Sequence, residues 1–242
     1  MTKVKVLVVP GTSETHEGDT STVVSGLLKN VTDQLDPAIF ESVWFPYDAS
    51  YGYPEPYGDS RDQAVDAVVD YIVARPDDEF VLLGYSQGAV VVGDAANRLK
   101  LTNAVKILGV CAVADGLRHA GQGRKTPGYG IAGQRWIDNT RWPVWQIVAD
   151  GDPICNLPKN NPLRPLAGIT EFMGMDLRRW MLDLQRKLNS GGIQPWNFLD
   201  MQSWIMGAAY LRGYLWDGKH TRAYVLDGHT DEAAALIKTV RI

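Results

Sequence analysis

The sequence has no cluster of lysine and arginine. Its 24 basic residues are outnumbered by 28 acidic ones, for a net charge of -4. A phosphate backbone is held by clustered cations, so nucleic acid is not an expected partner. No uninterrupted apolar run approaches the ~20 residues that span a bilayer, so no stable membrane span is expected. The apolar stretch within residues 1–10 is too short for the core of a signal peptide and continues straight into Gly11-Thr12. Synthesis in a cytoplasm without a secretory leader is the expectation. There are only two cysteines, Cys111 and Cys155, at no metal-ligand spacing. Buried reduced thiols are their simplest reading, and a disulfide between them stays open because both follow expected strand ends. No His/Glu metal cluster and no Gly-rich loop followed by Lys and Ser or Thr is present. The sequence therefore calls for neither a metal nor an organic cofactor.

What is present is alternation. Residues 3–10 are apolar and β-branched, as a buried parallel strand requires. Residues 42–46, 79–84, 105–114 and 142–149 read as further strands. Helical patterns are expected over residues 22–35, from residue 59 onward, over 87–101 and over 230–240. The expected fold is α/β, with a parallel sheet of about five strands covered by helices on both faces. A chain of 242 residues suits one such core and is short for two domains with linkers. Residues 156–218 contain no convincing strand and are rich in Trp, Met and Leu. They read as a helical insertion, with residues 1–155 and 219–242 forming the core. Packing accounts for most of that apolar content, and a surface that holds an acyl chain would use the same residues.

The chemistry centres on Gly84-Tyr85-Ser86-Gln87-Gly88. Gly-x-Ser-x-Gly between a strand and a helix presents the serine on a tight, strained turn, with a helix N-terminus beneath it to favour negative charge. A serine nucleophile needs a base, and the base needs an orienting acid, in the chain order Ser, Asp or Glu, His. Four histidines compete. His16 precedes Ser86, His119 lies in a Gly-rich loop, and His220 lies in a basic stretch. His229 stands just before the last helix, and the spacing favours it as base. For the acid, Asp152 lies past the turn at Gly151, Asp150 is its rival and Asp115 ends the fourth strand. Asp152 is preferred because it can turn toward the serine. An oxyanion hole would draw one amide from Gln87 and another from the turn after the first strand, at Thr12 or Ser13.

Two motifs are set aside. Gly128-Tyr129-Gly130-Ile131-Ala132-Gly133 spells a dinucleotide fingerprint but follows no strand of a first βαβ unit, so it reads as a loop near the site. Asn30-Val31-Thr32 spells a glycosylation sequon that is idle without a secretory signal.

The elbow Gly84-Tyr85-Ser86-Gln87-Gly88-Ala89, the turn Pro10-Gly11-Thr12-Ser13-Glu14 and the motif Gly151-Asp152-Pro153-Ile154-Cys155 together resemble the cutinase-type serine esterases of the α/β-hydrolase superfamily. That resemblance selects Thr12 for the oxyanion hole, Asp152 as acid and His229 as base. Cutinases pair the cysteine of the acid motif with one just before the acid, and that position is empty here. The long insertion before the base and the missing leader resemble the lysin B esterases of mycobacteriophages. The resemblance implies hydrolysis of the ester joining mycolic acids to arabinogalactan, with the acyl chain against the insertion. It also implies action at the mycobacterial outer envelope once lysis has begun, by a monomer without cofactor. A general cutinase or lipase acting on other lipid esters shares the same chemistry, and a non-catalytic lipid-binding protein could keep the same sheet.

Overall fold

The computed structural model describes residues 2–164, apart from 53, 103 and 162, together with residue 186 and residues 218–241. The insertion expected over 156–218 lies almost wholly outside the described residues. Five strands form one parallel sheet: β1 (Val4–Val9), β2 (Phe40–Trp44), β3 (Glu79–Tyr85), β4 (Lys106–Val113) and β6 (Val144–Ile147). Their spatial order is β2-β1-β3-β4-β6. Two short strands, β5 (Gly128–Tyr129) and β7 (Leu157–Pro158), pair antiparallel outside it. The pair at 157–158 was not expected from sequence, because two residues carry no periodicity.

Side chains alternate across the sheet and divide the core in two. Val4, Val6, Val8, Val81, Leu83, Cys111 and Val113 face one way, toward Leu28, Val31, Ala233 and Ile237. Leu7, Val9, Phe80, Leu82, Val110 and Ala112 face the other, toward Val65, Val68, Val91 and Ala95. Helices α1 (Lys29–Thr32), α4 (Arg222–Leu226) and α5 (His229–Lys238) lie on the first face, and α2 (Tyr57–Val73) and α3 (Gln87–Leu99) on the second. Burial on both faces is why the strands read as continuous apolar runs. Cys111 and Cys155 are both free and buried, and burial pushes both thiols above the ordinary range.

The helix expected over 22–35 is reduced to α1. Gly26 adopts φ +64, and a Cβ there would collide with the Glu14 carboxylate, which accepts the Leu27 amide at 3.3 Å. A left-handed residue ends helical continuity, so the apolar periodicity upstream of it forms turns.

Chain direction across the sheet reverses between β1 and β3, and the carboxyl ends of strands at such a switch point open a crevice. The turn from β3 into α3 sits there and is sterically exacting. Ser86 has φ 55 and ψ -114, a conformation that costs a non-glycine residue on the order of 1–3 kcal/mol. A Cβ on Gly84 would overlap the Gly88 carbonyl, and a Cβ on Gly88 would overlap the carbonyls of Val9 and Pro10. Both glycines are therefore required by close backbone approach. Gly88→Ala is expected to lower stability by about 3 kcal/mol or more, since neither carbonyl can yield without moving β1. Gly18→Ala, where φ is +78 but nothing lies within 4 Å, is expected to cost only about 1 kcal/mol. Urea-unfolding midpoints of the two variants check the contrast.

Candidate active site

Ser86 is held at the top of β3 by its own amide, which donates to the Val113 carbonyl at 2.9 Å. Its Oγ lies 2.9 Å from Nε2 of His220, and Nδ1 of His220 lies 3.1 Å from both oxygens of Asp152. Serine, imidazole and carboxyl group thus form one continuous line. The acid follows β6 through a turn at Gly151, whose φ is +80. The imidazole comes from the turn just before α4.

This geometry corrects the expectation for the base. His229 is the first residue of α5, packs on the Tyr224 ring at 5.6 Å and lies 3.6 Å from Glu232 through Nδ1. No hydrogen bond joins it to Ser86 or Asp152 among the described residues. The five-residue α4 intervenes between the two histidines, so the loop position expected before the last helix belongs to His220. The basic neighbours Lys219 and Arg222 hid it in the sequence. The other histidines lie elsewhere: His16 is exposed, and His119 packs edge-on against Trp136.

The rivals to Asp152 have separate duties. Asp150 forms an exposed ion pair with Arg124 at 3.1 Å. Asp115 is buried, pairs with Arg135 at 2.7 Å, and accepts from Gln146 at 3.0 Å and from the Leu117 amide at 2.9 Å. Asp152 itself has no exposed surface. Besides His220, it accepts from the Ile154 amide at 2.9 Å, the Tyr224 hydroxyl at 2.7 Å and the Cys155 thiol at 3.3 Å. Desolvation is offset only by such donors, so all sides of the carboxyl group are occupied.

Two aromatic side chains brace the imidazole region. Tyr85 stacks on the His220 ring at 5.2 Å and donates its hydroxyl to the His220 carbonyl at 2.6 Å. Tyr224 reaches the acid from the far side. Neither carries a sequence signal, because Tyr85 sits at a free position of the elbow pattern and Tyr224 in a helix too short to show periodicity. The fully buried Arg118 ties the acid turn to its neighbour loop, donating to the Cys155 carbonyl at 2.7 Å and the Gly128 carbonyl at 2.6 Å. Its burial lowers its pKa from the ordinary guanidinium value. The loop at 128–133 set aside as a false fingerprint therefore does border the site, and Ile131 and Ala132 line its cavity.

The first-strand turn lies opposite. Ser13 donates its amide to Ala49 at 2.9 Å, whereas the Thr12 amide has no backbone partner among the described residues. The Thr12 hydroxyl donates to the Gln87 side chain at 3.0 Å, and that side chain donates to Ser60 at 2.8 Å. Glu14 closes the turn by accepting the Gly11 amide at 2.7 Å. The backbones of Thr12 and Gln87 thus flank Ser86. The first amides of a helix have no intrahelical acceptor and can serve an anion.

A cavity of about 980 Å³ opens over Ser86. Leu27, Ile131, Pro153, Ile154, Leu163 and Val225 give it apolar walls, and Tyr51 and Tyr57 also line it. Among the described residues no group of three or more His, Cys, Asp or Glu could hold a metal ion, and no helix is long and apolar enough to cross a membrane.

Known proteins resemble this chain in sequence or in fold. The carboxylesterase Culp6 homolog of Corynebacterium glutamicum is 30% identical over 143 residues, 50% of this chain and 46% of that protein, so the match spans about half of either. The crystal structure of lysin B from mycobacteriophage D29 aligns with a TM-score of 0.59 and 18% identity, covering 96% of this chain and 91% of that one, which is a likeness of fold. A cutinase-like protein from Cryptococcus sp. aligns over 79% of this chain and 96% of its own, at 16% identity and a TM-score of 0.49. The family model described as Cutinase matches residues 2–166, a span that includes the first-strand turn, the elbow and the acid motif, and the chain belongs to the cutinase family.

Proposed function

We propose that this chain is a serine esterase that cleaves the ester joining mycolic acids to arabinogalactan in the mycobacterial outer envelope during phage-induced lysis. The observation that carries the esterase reading is the unbroken line from Ser86 through His220 to Asp152 at the mouth of an apolar cavity. In this reading Ser86 Oγ attacks the ester carbonyl while Nε2 of His220 takes its proton. Asp152 holds the imidazole in the tautomer that leaves Nε2 free and stabilises the imidazolium that forms. The amides of Thr12 and Gln87 hold the tetrahedral oxyanion. Collapse breaks the C–O bond, His220 returns its proton to the leaving alcohol, and an acyl group remains on Ser86. Water, deprotonated by His220, then attacks the acyl carbonyl and releases the carboxylic acid. No step draws on a cofactor.

The mycolyl substrate is supported by the size of the cavity, which is at the upper end of the ~300–1,000 Å³ usual for ligand pockets, and by its apolar walls. The likeness to lysin B over nearly all of both chains agrees with it. Action at the outer envelope after lysis begins follows from that substrate. A broader carboxylesterase acting on other lipid esters is the second reading, favoured by the corynebacterial carboxylesterase relative.

Ser86→Ala and His220→Ala are each expected to lower kcat on p-nitrophenyl butyrate by roughly a thousandfold or more, with folding intact by circular dichroism. His229→Ala is expected to keep kcat within about twofold, and a loss as large as that of His220→Ala would reverse the assignment of the base. On p-nitrophenyl esters, kcat/KM is expected to rise roughly tenfold or more from acetate to octanoate. That asks for about a third of the ~0.8 kcal/mol available per buried methylene. Release of free mycolic acids from cell-wall mycolyl-arabinogalactan, compared with fatty-acid release from triglyceride, separates the two substrates. Efficient triglyceride cleavage with no mycolate release would favour the broader esterase.

A further inference from the structure

Most of the groups around the catalytic line serve either chemistry or packing, but Tyr224 touches the acid directly and does not line the cavity. Its hydroxyl donates to Oδ2 of Asp152 at 2.7 Å, and the Ala149 amide at the end of the β6 segment donates to that hydroxyl at 3.3 Å. The Cys155 thiol lies 3.2 Å from the same hydroxyl. The ring has no exposed surface and packs edge-on against Tyr85 at 6.4 Å. Resting on the esterase reading, we propose that Tyr224 is a positioning residue that extends the line to Ser86–His220–Asp152–Tyr224, fixing the orientation of the acid and sharing its charge.

The physical argument concerns how a buried carboxylate divides its charge. Each oxygen of Asp152 faces His220 Nδ1. Oδ1 also accepts the Ile154 amide, a fixed donor, and Oδ2 accepts the Tyr224 hydroxyl and the Cys155 thiol. A thiol is a weak donor, so the phenol is the principal partner of Oδ2. Burial pushes the Tyr224 hydroxyl well above its ordinary pKa, so it remains protonated and remains a donor across the working pH range. A charge-assisted bond of this length is among the stronger kinds and draws charge away from the acceptor. Loss of the phenol leaves more negative charge at the oxygen facing the imidazole. The imidazolium is then favoured, and deprotonation of His220 requires a higher pH.

Other charged and titratable groups around His220 and the acid do not supply this contact. Lys219 and Arg222 flank His220 in the chain, and Glu14 lines the same cavity. Tyr85 bonds the His220 carbonyl, and Arg118 bonds the Cys155 carbonyl. On α5, His229 packs on the Tyr224 ring and pairs with Glu232.

The test is the pH profile of kcat/KM for p-nitrophenyl butyrate with Tyr224→Phe, which keeps the ring and removes the hydroxyl. The acid limb is expected to move to higher pH by about half a unit or more, while KM stays within about twofold because Tyr224 does not line the cavity. A purely structural role would lower the melting temperature and leave the limb in place. Replacement of Tyr224 by 3,5-difluorotyrosine, a stronger hydrogen-bond donor of nearly the same shape, is expected to move the limb the opposite way. It serves as the second variant if Tyr224→Phe folds poorly. An unshifted limb in either folded variant overturns the proposal. Fluorophosphonate labelling of Ser86 in the wild-type protein keeps the outcomes apart. If Ser86 does not label, the esterase reading fails; if it labels and the limb is unmoved, only the role of Tyr224 fails.

Discussion

The carboxyl group of Asp152 has no contact with solvent, and no lysine or arginine is hydrogen-bonded to it among the described residues. Much of the surrounding structure follows from that. A buried carboxylate is tolerated only when its lone pairs find donors, and here the donors come from three separate pieces of chain. The Ile154 amide and Cys155 thiol come from the turn itself, the imidazole from the segment before α4, and the phenol from α4. Each donor fixes the piece of backbone that carries it. The turn after β6, the chain around His220 and α4 are thereby tied to one atom pair, although Asp152 and His220 are 68 positions apart in the chain.

The opposite side of the site rests on steric rather than electrostatic grounds. The elbow brings α3 against the last carbonyls of β1 so closely that only hydrogen fits at Gly88. That contact sets the distance between the Thr12 turn and Ser86. The Thr12–Gln87 side-chain bond and the Glu14–Gly11 clasp then hold the two backbones in register. Free thiols at Cys111 and Cys155 leave hydrogen bonding and backbone packing to keep this arrangement in place.

What could be read from the sequence was what is determined locally. The five sheet strands showed as apolar runs because both faces of a parallel sheet are covered. The elbow showed because close approach demands glycine at two fixed places, and Asp152 stood out from Asp150 by lying past the turn at Gly151. The histidine was misassigned because its place depends on α4, five residues whose helicity follows from packing against Asp152 and Tyr85 rather than from any pattern. The helix expected over 22–35 failed for a similar reason. The Glu14 carboxylate, twelve residues before Gly26, occupies the space that Gly26 leaves open. Arg118 showed only as a charged residue in a loop, and its buried span between two turns depends on carbonyls from residues 10 and 37 positions away.

Part of the candidate site is fixed by the sheet and part lies outside it. Ser86, Asp152 and the Thr12 turn sit at strand ends, fixed by the sheet. Ile131, Ala132, Leu163 and Val225 lie outside the sheet, in connecting loops and the short α4 segment. The walls that lie outside the sheet can therefore change without disturbing the strand ends. Loop substitutions can reshape the cavity while the strand ends keep Ser86 and Asp152 in place, and His220, just before α4, is held by its bonds to Asp152 and Tyr85.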